Sequence, residues 1–157
     1  MPPVQSPSRG AVDAWRRVGE LVDLERCRTA TVARELDLSA AQLLALRALK
    51  PERPLPMGRL AGALECDKGN VTGIVDRLER RGLVERRPVD HDRRIKVLAL
   101  TDEGVRMQAE IEERLQTPPA AFVAAGGDDL ERIAAVLDAV VAELRDAREP
   151  GDACGAE

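Results

Sequence analysis

Apolar residues recur along this chain at two different periods, and the switch between them marks its most informative stretch. Val71, Ile74, Val75 and Leu78 fall at i, i+3, i+4 and i+7, a single stripe at helical period. Asp67 stands where it can cap the first turn, and Gly82 follows the last periodic residues as a C-terminal stop. Residues 83–87 and 95–100 then read as two short strands. Between them residues 88–94 form a polar tip too charged to bury. The spacing predicts a helix over 67–81 followed by a two-stranded β-wing.

Helical stripes occupy most of the remaining chain. Trp15, Val18, Val22, Thr29, Val32 and Leu36 predict a helix over about 11–36. Such a helix should lie against something along most of its length, and a single small domain offers it little surface, which points to a partner subunit. Ser39 and Gln42 match a capping box. The helix they open carries Leu43, Leu44, Leu46 and Leu49 to about Lys50, where Pro51 and Pro54 break it. A short helix over 56–64 follows, with Pro56 in its first turn and Leu60, Ala63 and Leu64 facing inward. Glu65 and Cys66 make the turn into the 67–81 helix, so the pair reads as a helix-turn-helix. Thr101, Asp102 and Glu103 begin another helix, which runs through Val105, Ile111 and Leu115 to Gln116. Paired prolines at 118–119 and glycines at 126–127 bracket an Ala-rich piece. A last helix over about 128–147 carries Leu130, Ile133, Ala134, Leu137, Val140, Val141 and Leu144. Residues 1–10 and 148–157 have the composition of disordered tails.

Composition sharpens this picture in three ways. Of the 157 residues 44% are apolar, yet the aromatics are one Trp and one Phe, so the core rests on Ala, Leu and Val and favours helices. The fold class expected is therefore mainly α (α+β), in one domain over 11–147. No apolar run reaches the roughly 20 residues of a membrane span, and no secretory pattern opens the chain, so a cytoplasmic protein without a membrane partner is expected. Three cysteines without metal-like spacing argue against a disulfide framework.

The net charge is −4, but its distribution matters more than the sum. Residues 59–96 hold ten Lys and Arg against seven Asp and Glu, a local positive excess in an acidic chain. Opposite the apolar stripe of the 67–81 helix lie Gly69, Thr72, Gly73, Asp76, Arg77 and Arg80. Two glycines inside one helix cost roughly 1 kcal/mol each relative to Ala. Close approach of the helix backbone to another surface, such as the walls of a major groove, would give a reason for them. Lys68, Asn70 and Thr72 near the helix start are placed to reach base edges or phosphates. The plainer alternative is an ordinary surface helix. The wing carries Arg86, Arg87, Arg93, Arg94 and Lys96, and an arginine at a hairpin tip can enter a minor groove. Asp90 and Asp92 would then hold those arginines by ion pairs; the plainer reading is a solvated charged hairpin. One His and no phosphate loop or metal-spaced cluster leave no catalytic constellation, and no enzyme activity and no cofactor are expected.

From about residue 38 to 104 the chain resembles the MarR family of winged helix-turn-helix transcriptional regulators. The resemblance is carried by LSAAQLLALRAL, by LAGALECDKGNVTGIVDRLERRGLVERR and by DHDRRIKVLALTDEG at this spacing. It implies a homodimer whose first and last helices (11–37 and 102–147) intertwine, with residues 38–101 binding double-stranded DNA at a near-palindromic operator. It implies that the 67–81 helix lies in the major groove and that the wing, with Arg87, His91, Asp92, Arg93 and Arg94, touches the minor groove. Family wings often read Asp-x-Arg-Asp-Arg-Arg. Here His91 stands where the first Arg would be, which makes Arg93 the first choice for the groove contact and His91 the second. The resemblance also implies a class of control, a small-molecule effector that releases the protein from DNA. Two alternatives stand beside it: a winged helix kept for protein–protein contact, and a redox-sensing regulator using Cys27. Cys66 reads as a structural thiol, Cys154 as incidental, and Trp15 as packing.

Overall fold

The computed structural model describes residues 6–64, 68–89 and 92–147, with only the backbone at 68, 89 and 92–95. Among these residues the elements run α1 (Arg9–Glu35), α2 (Ala40–Ala48), β1 (Leu55–Pro56), α3 (Met57–Ala63), α4 (Lys68–Arg80), β2 (Val84–Val89), β3 (Asp92–Leu100), α5 (Asp102–Gln116), α6 (Ala120–Val123) and α7 (Gly127–Asp146). The chain divides into two compact units, residues 1–40 and 41–157. No helix among the described residues is long and apolar enough to cross a membrane.

The first unit is essentially α1. Its N-cap is Ser8, whose hydroxyl accepts from the Ala11 amide at 3.2 Å. Arg9 and Gly10, expected in a tail, are therefore its first turn. At the other end Asp37 takes φ 54°, the Leu38 amide reaches the Ala33 carbonyl and the Asp37 amide reaches that of Arg34. This is a Schellman end, with the short polar side chain of Asp tolerating a conformation usually left to glycine. Of the predicted stripe, Val32 and Leu36 are buried, whereas Trp15 and Val22 are 54% and 47% exposed.

In the second unit the core gathers Leu43, Leu46 and Leu49 of the α2 region, Leu60 of α3, the α4 stripe, Leu83, Val84, Leu98 and Ile111, all buried. Along α3 and its C-cap, Leu60 is buried as expected and Ala63 and Leu64 are half-buried, while Ala61 is buried as well. α2 ends at Ala48, two residues short of the predicted stop. Its last carbonyls are taken up by the Gln108 side-chain amide of α5, which donates to Leu46 O at 2.6 Å and Leu49 O at 2.7 Å.

The sheet keeps the two-stranded wing and adds a strand to it. It has three antiparallel strands in the order β1-β3-β2, because Leu55 and Pro56 pair with Leu98 and Val97 on the free edge of β3. Pro56 accordingly ends a strand and caps α3 with extended backbone rather than entering its first turn. The wing strands also run further than predicted. Val84–Val89 and Asp92–Leu100 pair from Val84↔Leu100 to Val89↔Asp92, with a register shift between Pro88 and Val89. Backbone pairing needs no apolar side chains, so charged residues such as Asp92, Arg93 and Arg94 are compatible with strand.

Candidate nucleic-acid interface

Helix α4 is anchored from one side only. Val71, Ile74, Val75 and Leu78 are all buried, which turns the opposite face outward. There Gly69, Asn70, Thr72, Asp76, Arg77 and Arg80 are exposed and Gly73 is half-buried. The helix ends in a second Schellman turn. Gly82 takes φ +68°, its amide reaches Glu79 O at 2.9 Å, and the Leu83 amide reaches Leu78 O at 3.0 Å. Leu83 is buried at that corner and the chain enters β2 directly, so helix and wing are joined without slack.

The base of the wing is locked by Thr101. Its hydroxyl donates to Gly82 O at 2.5 Å, accepts from the Gly104 amide at 3.0 Å, and its own amide reaches Leu83 O. One residue thus ties the end of α4, the foot of the sheet and the start of α5.

The cations differ in what they are free to do. Arg77 makes no side-chain ion pair among the described residues. Arg80 Nε donates to Asp76 O of its own helix. Arg87, 57% exposed, pairs with Glu85. Arg86, read from sequence as one more wing cation, is instead drawn to α4, where it bonds Asp76 and Glu79. The sequence held a trace of this: Asp76 and Glu79 are spaced i, i+3, and so share one side of the helix. Between α2 and α4 a cavity of about 370 Å³ is bounded by Ala41 and Leu44 on one side and by Gly69, Gly73 and Arg77 on the other. An added Cβ at Gly69 or Gly73 would meet nothing within 4 Å.

Several expected site residues fall outside this geometry. Asp67, Cys66, Asp90, His91 and Cys154 lie outside the described residues, and Lys68, Asp92, Arg93 and Arg94 are described by backbone alone, in α4 and β3. Cys27 is exposed on α1, in the other unit.

A helix-turn-helix (α3 and α4) followed directly by an antiparallel wing, with helices before and after, defines a winged helix-turn-helix protein. Residues 38–96 match the model of the MarR family. It is 39% identical over 67 residues to the HTH-type transcriptional repressor MdtR of Bacillus subtilis. That alignment covers 43% of this chain and 43% of the relative, so the chain spans less than half the length of the curated protein it matches. Among solved structures, a MarR family protein of Bacillus stearothermophilus superposes with TM-score 0.79 at 21% identity, over 90% of this chain and 99% of that one. A transcriptional regulator of Thermotoga maritima superposes with TM-score 0.64 at 26% identity, over 87% and 99%.

Proposed function

We propose that this chain is a DNA-binding transcriptional regulator, a repressor, that binds a near-palindromic operator in double-stranded DNA as a homodimer in the cytoplasm. The observation that carries the reading is the one-sided burial of α4, which leaves Gly69, Asn70, Thr72, Gly73, Arg77 and Arg80 outward beside the wing. In this reading the first turns of α4, with Lys68, Asn70 and Thr72, enter the major groove and read base edges. Gly69 and Gly73 let the helix backbone sit close, while Arg77, Arg80 and Arg87 meet phosphates and Asp76 shapes the face. The wing carries His91, Asp92, Arg93 and Arg94 towards the minor groove. The name of the B. subtilis relative, a transcriptional repressor, supports DNA binding over a winged helix kept only for protein contact.

Dimerisation is supported by α7, none of whose residues is buried, although Ile133, Val136, Leu137, Val141 and Leu144 lie on it. The cavity beside α4 is at the small end of ligand-sized pockets, and it supports release from DNA by a small molecule. The test is a gel shift with the intergenic DNA next to its own gene across a salt series. Affinity falls steeply with salt, and Arg77→Ala lowers the slope of log K against log salt by roughly 0.9. Absence of duplex binding at low salt overturns the reading.

A further inference from the structure

Arg86 lies on β2 opposite Leu98 of β3, and its side chain is 21% exposed, the least of the wing-base cations. One terminal nitrogen of its guanidinium donates to Asp76 Oδ1 at 2.5 Å and the other to Glu79 Oε2. Both carboxylates belong to α4, three residues apart, so a planar fork from the wing grips the helix at two points. Asp76 is 50% exposed on the outward face of α4. Left alone, a carboxylate there would repel a phosphate.

We infer that Arg86 is a positioning residue for DNA binding: it fixes α4 against the wing and offsets part of the negative charge of Asp76 and Glu79, without itself touching the duplex. This rests on the DNA-binding reading above and deepens it. A cation held by two carboxylates has its donors engaged and its charge more than balanced, so it has little left to offer a phosphate. Exposed ion pairs add little to global stability, so the effect falls on the angle between helix and wing rather than on folding. Lysine, with a point charge on a flexible stem, lacks the planar fork that sets the two carboxylates in one geometry.

The test uses the whole chain and a duplex pool with a randomised centre, across a salt series, with melting temperature measured alongside. Arg86→Gln and Arg86→Lys are expected to melt close to the parent, to bind about ten-fold more weakly, and to keep the parent's salt slope. In an Asp76→Asn/Glu79→Gln background, Arg86→Gln is expected to have no further effect, because the groups it acts through are gone. Three results overturn the inference while leaving DNA binding intact: a slope lower by roughly 0.9, which marks a direct phosphate contact; full rescue by lysine; or an undiminished effect of Arg86→Gln in the double-variant background. If Arg86→Gln does not fold, Arg86→Lys alone decides between rescue and loss. A parent protein that binds no duplex overturns the functional reading and this inference with it.

Discussion

Gly104 has the least room of the described glycines. A Cβ built there would come within 1.9 Å of Leu83 O and 3.2 Å of Leu100 Cδ2, so α5 can start against the foot of the wing only because nothing projects. Replacing Gly104 with Ala must push backbone apart, and it is expected to lower stability by about 2 kcal/mol in urea denaturation. Glu112 of α5 shows a milder dependence. The hydrogen bond from Arg47 Nε, at 2.7 Å, holds its carboxyl below the usual range; burial opposes this, and the charge of Arg47 and a bond from Gln116 add to it. A carboxyl whose folded pKa is depressed stabilises the fold fully above its unfolded value, near 4.5, and loses that contribution as pH falls through the folded value. Glu112→Gln should therefore be less stable than the parent at neutral pH, by about 0.5 kcal/mol. The gap should close in acid, which thermal melts at the two pH values would show. Of these two features the glycine was visible in sequence as part of LTDEG, but the reason for it was not. A 1.9 Å approach exists only between segments twenty residues apart.

Among the elements, α4 was the most legible. All four stripe positions are buried and the helix stops at the glycine that spacing named. Its two interior glycines now have a sharper meaning. Gly104 is glycine because the protein's own backbone requires it, whereas at Gly73 a methyl group would meet open space. Within the chain, Gly73→Ala should favour the helix and raise stability by up to about 1 kcal/mol. In the DNA-binding reading it should also weaken duplex binding by crowding the helix face. Equilibrium unfolding and a gel shift on one preparation check both signs; unchanged DNA affinity would mean that Gly73 leaves room for nothing. The wing was less legible, since β1 is two residues long and contains a proline. Its pairing comes from Val97 and Leu98 more than forty residues away, beyond the reach of any local pattern.

For the whole molecule, the exposed apolar residues of α7 are the principal unsettled surface. Val136 is 64% and Leu144 54% exposed on a helix whose polar positions are also exposed. A helix of this kind is stable when its stripe is covered, and a second copy of the chain is the cover proposed here. A charged residue in the stripe should separate the copies. Leu137→Glu is expected to shift sedimentation towards monomer and to lower operator affinity sharply, because two half-sites are then no longer read together. A parent protein that sediments as a monomer at all concentrations would exclude this arrangement.

The sequence by itself determined the helices, the stop at Gly82, the cap at Thr101 and the likeness of residues 38–96 to the MarR model, because these depend on residues within a few positions of one another and on a motif of fixed spacing. Tertiary structure alone decided the third strand, the reach of the wing, the clash that makes Gly104 necessary and the partners of Arg86. Each of these is a meeting of distant segments, and a linear pattern carries the charge of Arg86 but not the direction in which it points. That difference removes Arg86 from the wing cations and makes it the bracket that holds α4 in place.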